Sequence, residues 1–211
     1  MPFTIIRHGP SRSFPEGAPL APSEPVASAV RIHLGVDPAA DVATEGDGCV
    51  LIELDLECLG VHTGEAAGAE GDRRVGFARW AVNDGDASDL VELVVQPNTE
   101  SEAVELARAV FTSAGFTVVV CRDFPGRILD RLLRPYLNDA LRGLDQGLAT
   151  AADLDKTVCL GLGYPVGPIE LLDGTGLARH HRVSSALAQA YGEPGLVPAR
   201  RATVAFQRAS K

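Results

Sequence analysis

Residues 122–173, RDFPGRILDRLLRPYLNDALRGLDQGLATAADLDKTVCLGLGYPVGPIELLD, predict a series of helices joined by short turns. From Ile128 to Leu144, apolar residues recur at steps of three and four, as they do on one wide apolar face of a long helix. Pro135 lies inside this helix, where its missing N–H should kink the helix or mark a bend. Polar residues fall between the apolar ones: Arg127, Asp130, Arg131, Arg134, Asn138 and Arg142.

More helices are predicted after this one. Thr150, with Asp153 three residues later, forms a capping box and predicts the start of a second helix. Pro168 follows a glycine turn and is typical of the first position of a third helix. The spacing of apolar residues predicts that residues 175–211 are also helical.

Metal binding by this part of the chain is not expected. His180 and His181 are predicted as surface or core-edge histidines, because adjacent residues point to different faces of a helix and no carboxylate or cysteine accompanies them at ligand spacing. The four cysteines, Cys49, Cys58, Cys121 and Cys159, have no C-x-x-C spacing. They are therefore interpreted as reduced thiols rather than as disulfides or metal ligands.

The segment from Pro125 to Leu177 resembles the helical C-terminal domain of the 3-hydroxyacyl-CoA dehydrogenase family. The matching residues are Pro125-Gly126, Arg131-Leu132-Leu133, Pro135-Tyr136-Leu137-Asn138, Leu160-Gly161-Leu162-Gly163-Tyr164-Pro165, Gly167-Pro168, Glu170-Leu171, Asp173 and Gly176-Leu177. The resemblance implies an all-α domain over residues 123–211 that forms a homodimer, with an acyl-CoA as a possible ligand.

Residues 1–122 are predicted to form a reduced Rossmann-like sheet domain, so that the fold class of the whole chain is α+β or α/β. The segment 26–34 is compatible with a strand or a short helix. The strands are predicted at 3–7, 49–61, 75–83, 89–94 and 116–122, with one helix at 99–114. Compared with the family, this domain keeps strands and lacks most of the helices that connect them.

The turn after the first predicted strand differs from that of the family. Members of the family continue with a G-x-G-x-x-G loop and a helix that hold a dinucleotide pyrophosphate. Residues 9–25 are GPSRSFPEGAPLAPSEP instead, and their five prolines prevent a helix and offer few backbone donors. This segment is interpreted as a surface connection. No cofactor is expected, and NAD is implied by the resemblance alone.

The catalytic residues that the resemblance implies are only partly present. In the family a histidine is the general base, a glutamate orients it, and an asparagine and a serine hold the substrate. The glutamate corresponds to Glu92 and the asparagine position to Asp130, while the serine has no counterpart. The histidine position falls on Ala78 or on Trp80, depending on the alignment, and neither residue accepts a proton.

Glu92 and Asp130 are therefore the candidate catalytic acids, and two close carboxylates would share a proton. The alternative is that both side chains simply face water. Arg127 and Arg131 are candidate substrate-binding residues. Among the other histidines, His62 at the end of its predicted strand is the one considered as a base, although a loop histidine is the simpler interpretation.

Composition limits the class of protein. The formal net charge is −9, and the acidic residues are concentrated in the first half of the chain. This argues against nucleic acid as a partner of that half. The sequence has no run of eighteen apolar residues and no apolar segment near its start, so that we expect neither a membrane span nor a signal peptide, and a cytoplasmic location.

Two hypotheses about function remain open. In the first, the chain has lost NAD-dependent catalysis and acts as a homodimeric module that binds an acyl-CoA or a protein. In the second, it is an active oxidoreductase that converts 3-hydroxyacyl-CoA to 3-ketoacyl-CoA with a non-standard site. The altered glycine-rich loop and the missing base are independent changes, and both favour the first hypothesis.

Overall fold

The computed structural model describes residues 3–16, 20, 30–40, 42, 48–81 and 87–210. The chain divides into two compact units, and Arg127 is the last residue of the first unit, while Ile128 begins the main segment of the second. Parts of three predicted segments lie outside the described residues. Residues 17–19 and 21–25 belong to the proline-rich segment at 9–25, and residues 26–29 begin the strand or helix at 26–34. Residues 82–83 end the predicted strand at 75–83.

The first unit contains a mixed sheet of six strands, which confirms the prediction of a reduced Rossmann-like sheet. The strands are β1 (Thr4–Arg7), β2 (Val30–Leu34), β3 (Cys49–Glu53), β4 (Arg74–Ala81), β5 (Ala87–Val95) and β6 (Thr117–Arg122). They lie side by side in chain order; β4 and β5 are antiparallel, and all other neighbours are parallel. The described part of segment 26–34 is therefore a strand.

β3 is shorter than the predicted strand at 49–61, and this prediction was wrong in its C-terminal part. The chain turns after Glu53 because the carboxylate of Glu57 accepts hydrogen bonds from the backbone N–H groups of Asp55 and Leu56. A short helix, α1 (Gly60–Thr63), follows. All five residues of β3 are buried, because both faces of the sheet are covered at this strand.

One face of the sheet is covered by helix α2 (Ser101–Ser113) and by a residue from the turn after β1. That residue is Phe14, which is completely buried and stacks at 6.1 Å on Phe111 and edge-on at 5.6 Å to Phe116. The guanidinium of Arg79 lies 4.8 Å from the centre of the Phe14 ring. The described part of the proline-rich segment thus contributes to the core, which corrects its interpretation as a surface connection.

The second unit is all-helical, as predicted. Its helices are α3 (Leu129–Asp145), α4 (Ala151–Leu162), α5 (Pro168–Thr175), α6 (Leu177–Tyr191) and α7 (Arg200–Ala209), with a short 3-10 helix at Pro194–Leu196. Thr150 Oγ1 accepts a hydrogen bond from the N–H of Asp153, which confirms the predicted cap of α4. No helix in the described part of the chain is long and apolar enough to cross a membrane.

The single apolar face predicted for α3 is wrong in part. Leu132 is 68% exposed, whereas Arg134 and Asn138 are almost completely buried. Arg134 and Asn138 are four residues apart and therefore lie on the same side of the helix. Their partner in the interior is His180 on α6, which is completely buried and not a surface or core-edge residue as predicted. The buried side of α3 therefore combines these polar residues with apolar ones such as Leu137 and Leu141.

Candidate functional site

Glu92 lies in the middle of β5 and is buried. The antiparallel register of β4 and β5 places Ala78 directly opposite Glu92. Side chains on directly opposed residues of an antiparallel pair are the closest neighbours across the two strands. Of the two positions considered for the family's histidine, Ala78 is therefore the one paired with the glutamate. A methyl group at this position provides no base.

Arg127 supplies a positive charge next to Glu92. The Nε atom of Arg127 lies 3.6 Å from Glu92 Oε2, and both side chains are buried. Another nitrogen of the same guanidinium donates to the backbone oxygen of Asp55 at 2.8 Å. Arg127 precedes α3 and has a φ angle of +50°, so it is not part of the helix predicted there. The candidate substrate-binding residue Arg127 thus has two protein partners within the first unit.

Asp130 lies in the second unit and has its own arginine. Asp130 Oδ1 is 2.7 Å from one terminal nitrogen of Arg134 and 2.8 Å from Arg134 Nε. A second terminal nitrogen of Arg134 lies 3.0 Å from His180 Nδ1. Glu92 and Asp130 therefore belong to different units, and each is paired with an arginine of its own unit.

The polar network of the second unit continues from His180. The Nε2 atom of His180 is 2.8 Å from Asn138 Oδ1, and the amide nitrogen of Asn138 donates to the backbone oxygen of Gly195 at 3.0 Å. Burial, with a smaller contribution from nearby Arg134, lowers the pKa of His180 from 6.5 to about 3. The imidazole is therefore neutral at physiological pH, and it accepts from Arg134 and donates to Asn138.

The sequence contains a signal for this network, although the apolar pattern of α3 did not reveal it. Asp130, Arg134 and Asn138 are spaced by four residues, so they form one polar stripe on α3.

The other candidate substrate-binding residue, Arg131, is exposed, and its guanidinium lies 4.4 Å from the centre of the Tyr191 ring. Arg131 remains accessible to a ligand on one side.

His62 is not a loop histidine. It lies in α1 and is 5% exposed, with its Nε2 atom 3.7 Å from Glu57 Oε1. Burial opposes ionisation of Glu57, but the nearby imidazole of His62 and the hydrogen bonds from backbone N–H groups outweigh it and lower the pKa of Glu57. His62 does not line either of the two clefts described below.

A cleft of about 270 Å³ lies at the carboxyl ends of β1, β2 and β3. Beside it, Glu53 is buried at the end of β3 and accepts three hydrogen bonds through both oxygens. Oε1 accepts from the Ser11 hydroxyl at 2.9 Å and from the Ser13 N–H at 2.7 Å, while Oε2 accepts from the Gly35 N–H at 2.8 Å. We call the group of Ser11 Oγ, Ser13 N–H and Gly35 N–H the Glu53 cradle.

This cleft does not fit the pyrophosphate of a dinucleotide. In doubly wound folds such a ligand lies beyond the carboxyl ends of the parallel strands, with its phosphates on backbone N–H groups. Here the nearby N–H groups of Ser13 and Gly35 already bind the carboxylate of Glu53. Asp55 and Glu57 also line the cleft, and Asp55 is paired with Arg12. A bound phosphate would therefore meet negative charge and occupied donors.

A larger cleft of about 640 Å³ is formed by residues of the first unit that follow α1, β5 and β6. Its volume is in the range of small-molecule sites. Burial and the neighbouring Asp123 raise the pKa of Cys58 in this cleft to about 11, so its thiol is protonated and a poor nucleophile. The lining residues are Cys58, Glu65, Glu70, Val95, Gln96, Pro97, Arg122, Asp123, Phe124 and Pro125.

Within the described ranges, no three histidine, cysteine, aspartate or glutamate side chains converge where they could hold a metal ion. The sites described above contain buried ion pairs and hydrogen-bonded carboxylates, and α3 carries the exposed Arg131.

Comparisons with known proteins relate the helical unit to one family. The family model for the 3-hydroxyacyl-CoA dehydrogenase C-terminal domain matches residues 126–210. Hydroxyacyl-coenzyme A dehydrogenase of pig mitochondria (Sus scrofa) is 44% identical over 88 residues, which cover 42% of this chain and 28% of that protein. A probable 3-hydroxyacyl-CoA dehydrogenase of Caenorhabditis elegans is 37% identical over 110 residues, covering 52% and 37% of the two chains.

Solved structures extend the similarity to the sheet. FadB2 of M. tuberculosis has a TM-score of 0.71 at 26% identity, covering 86% of this chain and 66% of that one. The (S)-3-hydroxybutyryl-CoA dehydrogenase PaaH1 of Ralstonia eutropha has a TM-score of 0.71 at 20% identity, with coverage of 87% and 66%.

Residues 126–210 therefore match the C-terminal domain of the 3-hydroxyacyl-CoA dehydrogenase family, and the chain is related to members of that family. It spans only 28% of the pig enzyme and 37% of the nematode protein.

Proposed function

We propose that this protein does not catalyse NAD-dependent oxidation and that it acts as a homodimeric module that binds an acyl-CoA. The observation that carries the proposal is the pair of Ala78 and Glu92 across β4 and β5. The position opposite the glutamate has no imidazole, and Glu92 is paired with Arg127 instead. A general base must be within hydrogen-bond reach of the proton that it removes, and Ala78 offers no such group.

The Glu53 cradle supports the same proposal independently. Its N–H donors bind an internal carboxylate, and two further carboxylates line the adjacent cleft. Loss of the base would reduce the rate of hydride transfer, whereas an occupied cradle would reduce binding of the dinucleotide. The two differences affect separate requirements of the dehydrogenase reaction.

Exposed apolar side chains of the second unit support the homodimer. Helix α4 buries none of its residues within the protomer, although it carries several leucines. Leu160 and Leu162 are 77% and 66% exposed, and Tyr164 and Val166 follow them with 48% and 36%. We call these four residues the α4 apolar surface. Several large apolar side chains exposed within one short segment are typical of a protein–protein interface.

A second copy of the chain is the proposed occupant of the α4 apolar surface, because the resemblance implies that the helical domain forms the dimer. The acyl-CoA ligand is proposed for two reasons. The similar proteins include a hydroxyacyl-coenzyme A dehydrogenase, and the exposed guanidinium of Arg131 is suited to bind a phosphate of coenzyme A. The alternative function is an active 3-hydroxyacyl-CoA oxidoreductase that uses Glu92 and Asp130.

Two measurements test the function. NADH oxidation with acetoacetyl-CoA should stay at background for the wild type and for Glu92→Gln and Asp130→Asn, with an active family member as positive control. A rate above background that falls in either variant would establish the alternative. Calorimetric titration with acetoacetyl-CoA should give binding that Arg131→Gln weakens and that the exposed control Arg208→Gln does not. If the wild type binds no acetoacetyl-CoA, the ligand part of the proposal is wrong.

A further inference from the structure

We propose that the Glu53 cradle is an oxyanion-binding site whose ligand is the chain's own Glu53 carboxylate, and that the cradle takes up a free carboxylate when this side chain is removed. The three donors come from two separate loops, because Ser11 and Ser13 follow β1 and Gly35 follows β2. They converge on one carboxylate at 2.7 to 2.9 Å. This assignment does not depend on whether the protein binds an acyl-CoA.

The backbone around the cradle is built for this contact. Gly35 has a φ angle of +61°, and a Cβ atom at this position would lie 2.5 Å from the backbone oxygen of Gly9. Only glycine is compatible with both the left-handed conformation and this close approach. The close contact between the two loops fixes the direction of the Gly35 N–H, which donates to Glu53 Oε2.

Burial makes the carboxylate important to the cradle. Glu53 is 6% exposed, Ser13 is 2% exposed and Ser11 is 9% exposed. Buried N–H and O–H groups without an acceptor destabilise a folded protein, because they lose their hydrogen bonds to water. Ser11 Oγ also accepts from the Phe14 N–H at 2.9 Å, so the cradle is connected to the buried phenylalanine that covers one face of the sheet. An anion at this place therefore stabilises the turn after β1.

The charge of the cleft explains why the anion is internal. Glu53, Asp55 and Glu57 line the cleft together with one arginine, Arg12. A free anion that approaches from solvent meets this excess of negative charge, whereas a carboxylate fixed to β3 is held in the cradle by the chain. When Glu53 is truncated, one negative charge is lost and all three donors become available at the same time.

Chemical rescue tests the proposal. Glu53→Ala should lower the urea midpoint of unfolding, and sodium acetate should restore part of that loss with a saturating dependence on concentration, relative to sodium chloride at equal ionic strength. The matched control is Val50→Ala, which makes a cavity in the same buried strand without exposing donors. Its midpoint should respond equally to acetate and chloride. Inorganic phosphate is a second probe, and rescue by phosphate would show that the cradle accepts tetrahedral oxyanions too.

The experiment remains decisive if Glu53→Ala does not fold in chloride. The single tryptophan, Trp80, lies on β4 and is 8% exposed, so its fluorescence reports folding of the first unit. Acetate should then restore the native spectrum of Glu53→Ala. The proposal is wrong if acetate gives no saturating effect beyond chloride in either assay, or if Val50→Ala responds to acetate in the same way.

Discussion

Ala78 lies directly opposite Glu92 in the antiparallel ladder of β4 and β5. The residue opposite Glu92 therefore has a methyl side chain and no imidazole. Glu92 keeps its place on the strand, but its charged neighbour is the guanidinium of Arg127, 3.6 Å away. The glutamate is therefore part of an internal ion pair.

The ion pair of Glu92 and Arg127 leads to a prediction about stability. Glu92→Gln should lower the free energy of unfolding by about 3–5 kcal/mol, because it leaves a buried guanidinium without its counter-charge. Urea unfolding followed by Trp80 fluorescence measures this loss. The control is Glu102→Gln, which breaks an exposed ion pair with Arg73 and should cost less than about 1 kcal/mol. Equal effects of the two substitutions would contradict the assignment.

The α4 apolar surface leads to a prediction about assembly. The double substitution Leu160→Ser and Leu162→Ser should convert a homodimer to a monomer, because burial of each leucine in an interface contributes about 1.5–3 kcal/mol. Light scattering coupled to gel filtration measures the mass. Val61→Ser removes a 52% exposed apolar side chain from the first unit and should leave the mass unchanged. A monomeric wild-type protein would refute the homodimer.

The buried His180 leads to a prediction about pH. Its pKa is lowered from 6.5 to about 3 in the folded protein, so between these values the unfolded chain binds a proton that the folded chain does not. The stabilising effect of the neutral imidazole is complete above pH 6.5 and is lost as the pH falls towards 3. The free energy of unfolding should therefore decrease by up to about 1.4 kcal/mol per pH unit from this residue alone.

The measurement is urea unfolding at several values between pH 4 and about 8. His180→Gln can accept from Arg134 and donate to Asn138 but does not titrate, so it should reduce the slope below pH 6.5. Its stability at the highest pH gives the effect of the substitution that does not involve protons. His33, whose pKa burial lowers to about 4, should account for remaining slope of the same sign. A slope unchanged by His180→Gln would contradict the prediction.

Phe14 leads to a prediction about the turn after β1. Phe14→Ala should lower the free energy of unfolding by about 3–5 kcal/mol, because the ring is completely buried between Phe111 and Phe116. Thermal or urea unfolding checks this value. Phe124→Ala is the matched control, since Phe124 is 54% exposed and its loss should change stability by less than about 0.5 kcal/mol. A mild effect at Phe14 would mean that the turn is not part of the core.

Local patterns predicted the elements well where one signal dominated. The capping box at Thr150 and Asp153 specified the start of α4, because a side-chain oxygen three residues before a free N–H needs no distant partner. The strand prediction from Cys49 failed after Glu53, because alternation alone does not show where a carboxylate such as Glu57 will turn the chain. The apolar face of α3 was only half right, because Arg134 is buried by partners that lie 46 residues away in the sequence.

The residues of the candidate site also divide into those that local sequence identified and contacts that it could not show. The sequence identified Glu92, Asp130, Arg127 and Arg131 as residues of interest, and it already lacked the histidine and the glycine-rich loop. It could not show that Arg127 neutralises Glu92 or that Glu53 binds the donors of two loops, since these contacts join residues 18 to 42 positions apart.

The sequence by itself determined the resemblance of the helical unit to a known domain, the order of sheet and helical unit, and the lack of a base at position 78, because each depends on residue identity and local spacing. The tertiary structure alone decided which polar groups are buried and what they bind. The physical reason is that burial makes an unpaired charge or donor costly, so each buried polar group requires a partner, and only the folded chain shows which distant residue supplies it.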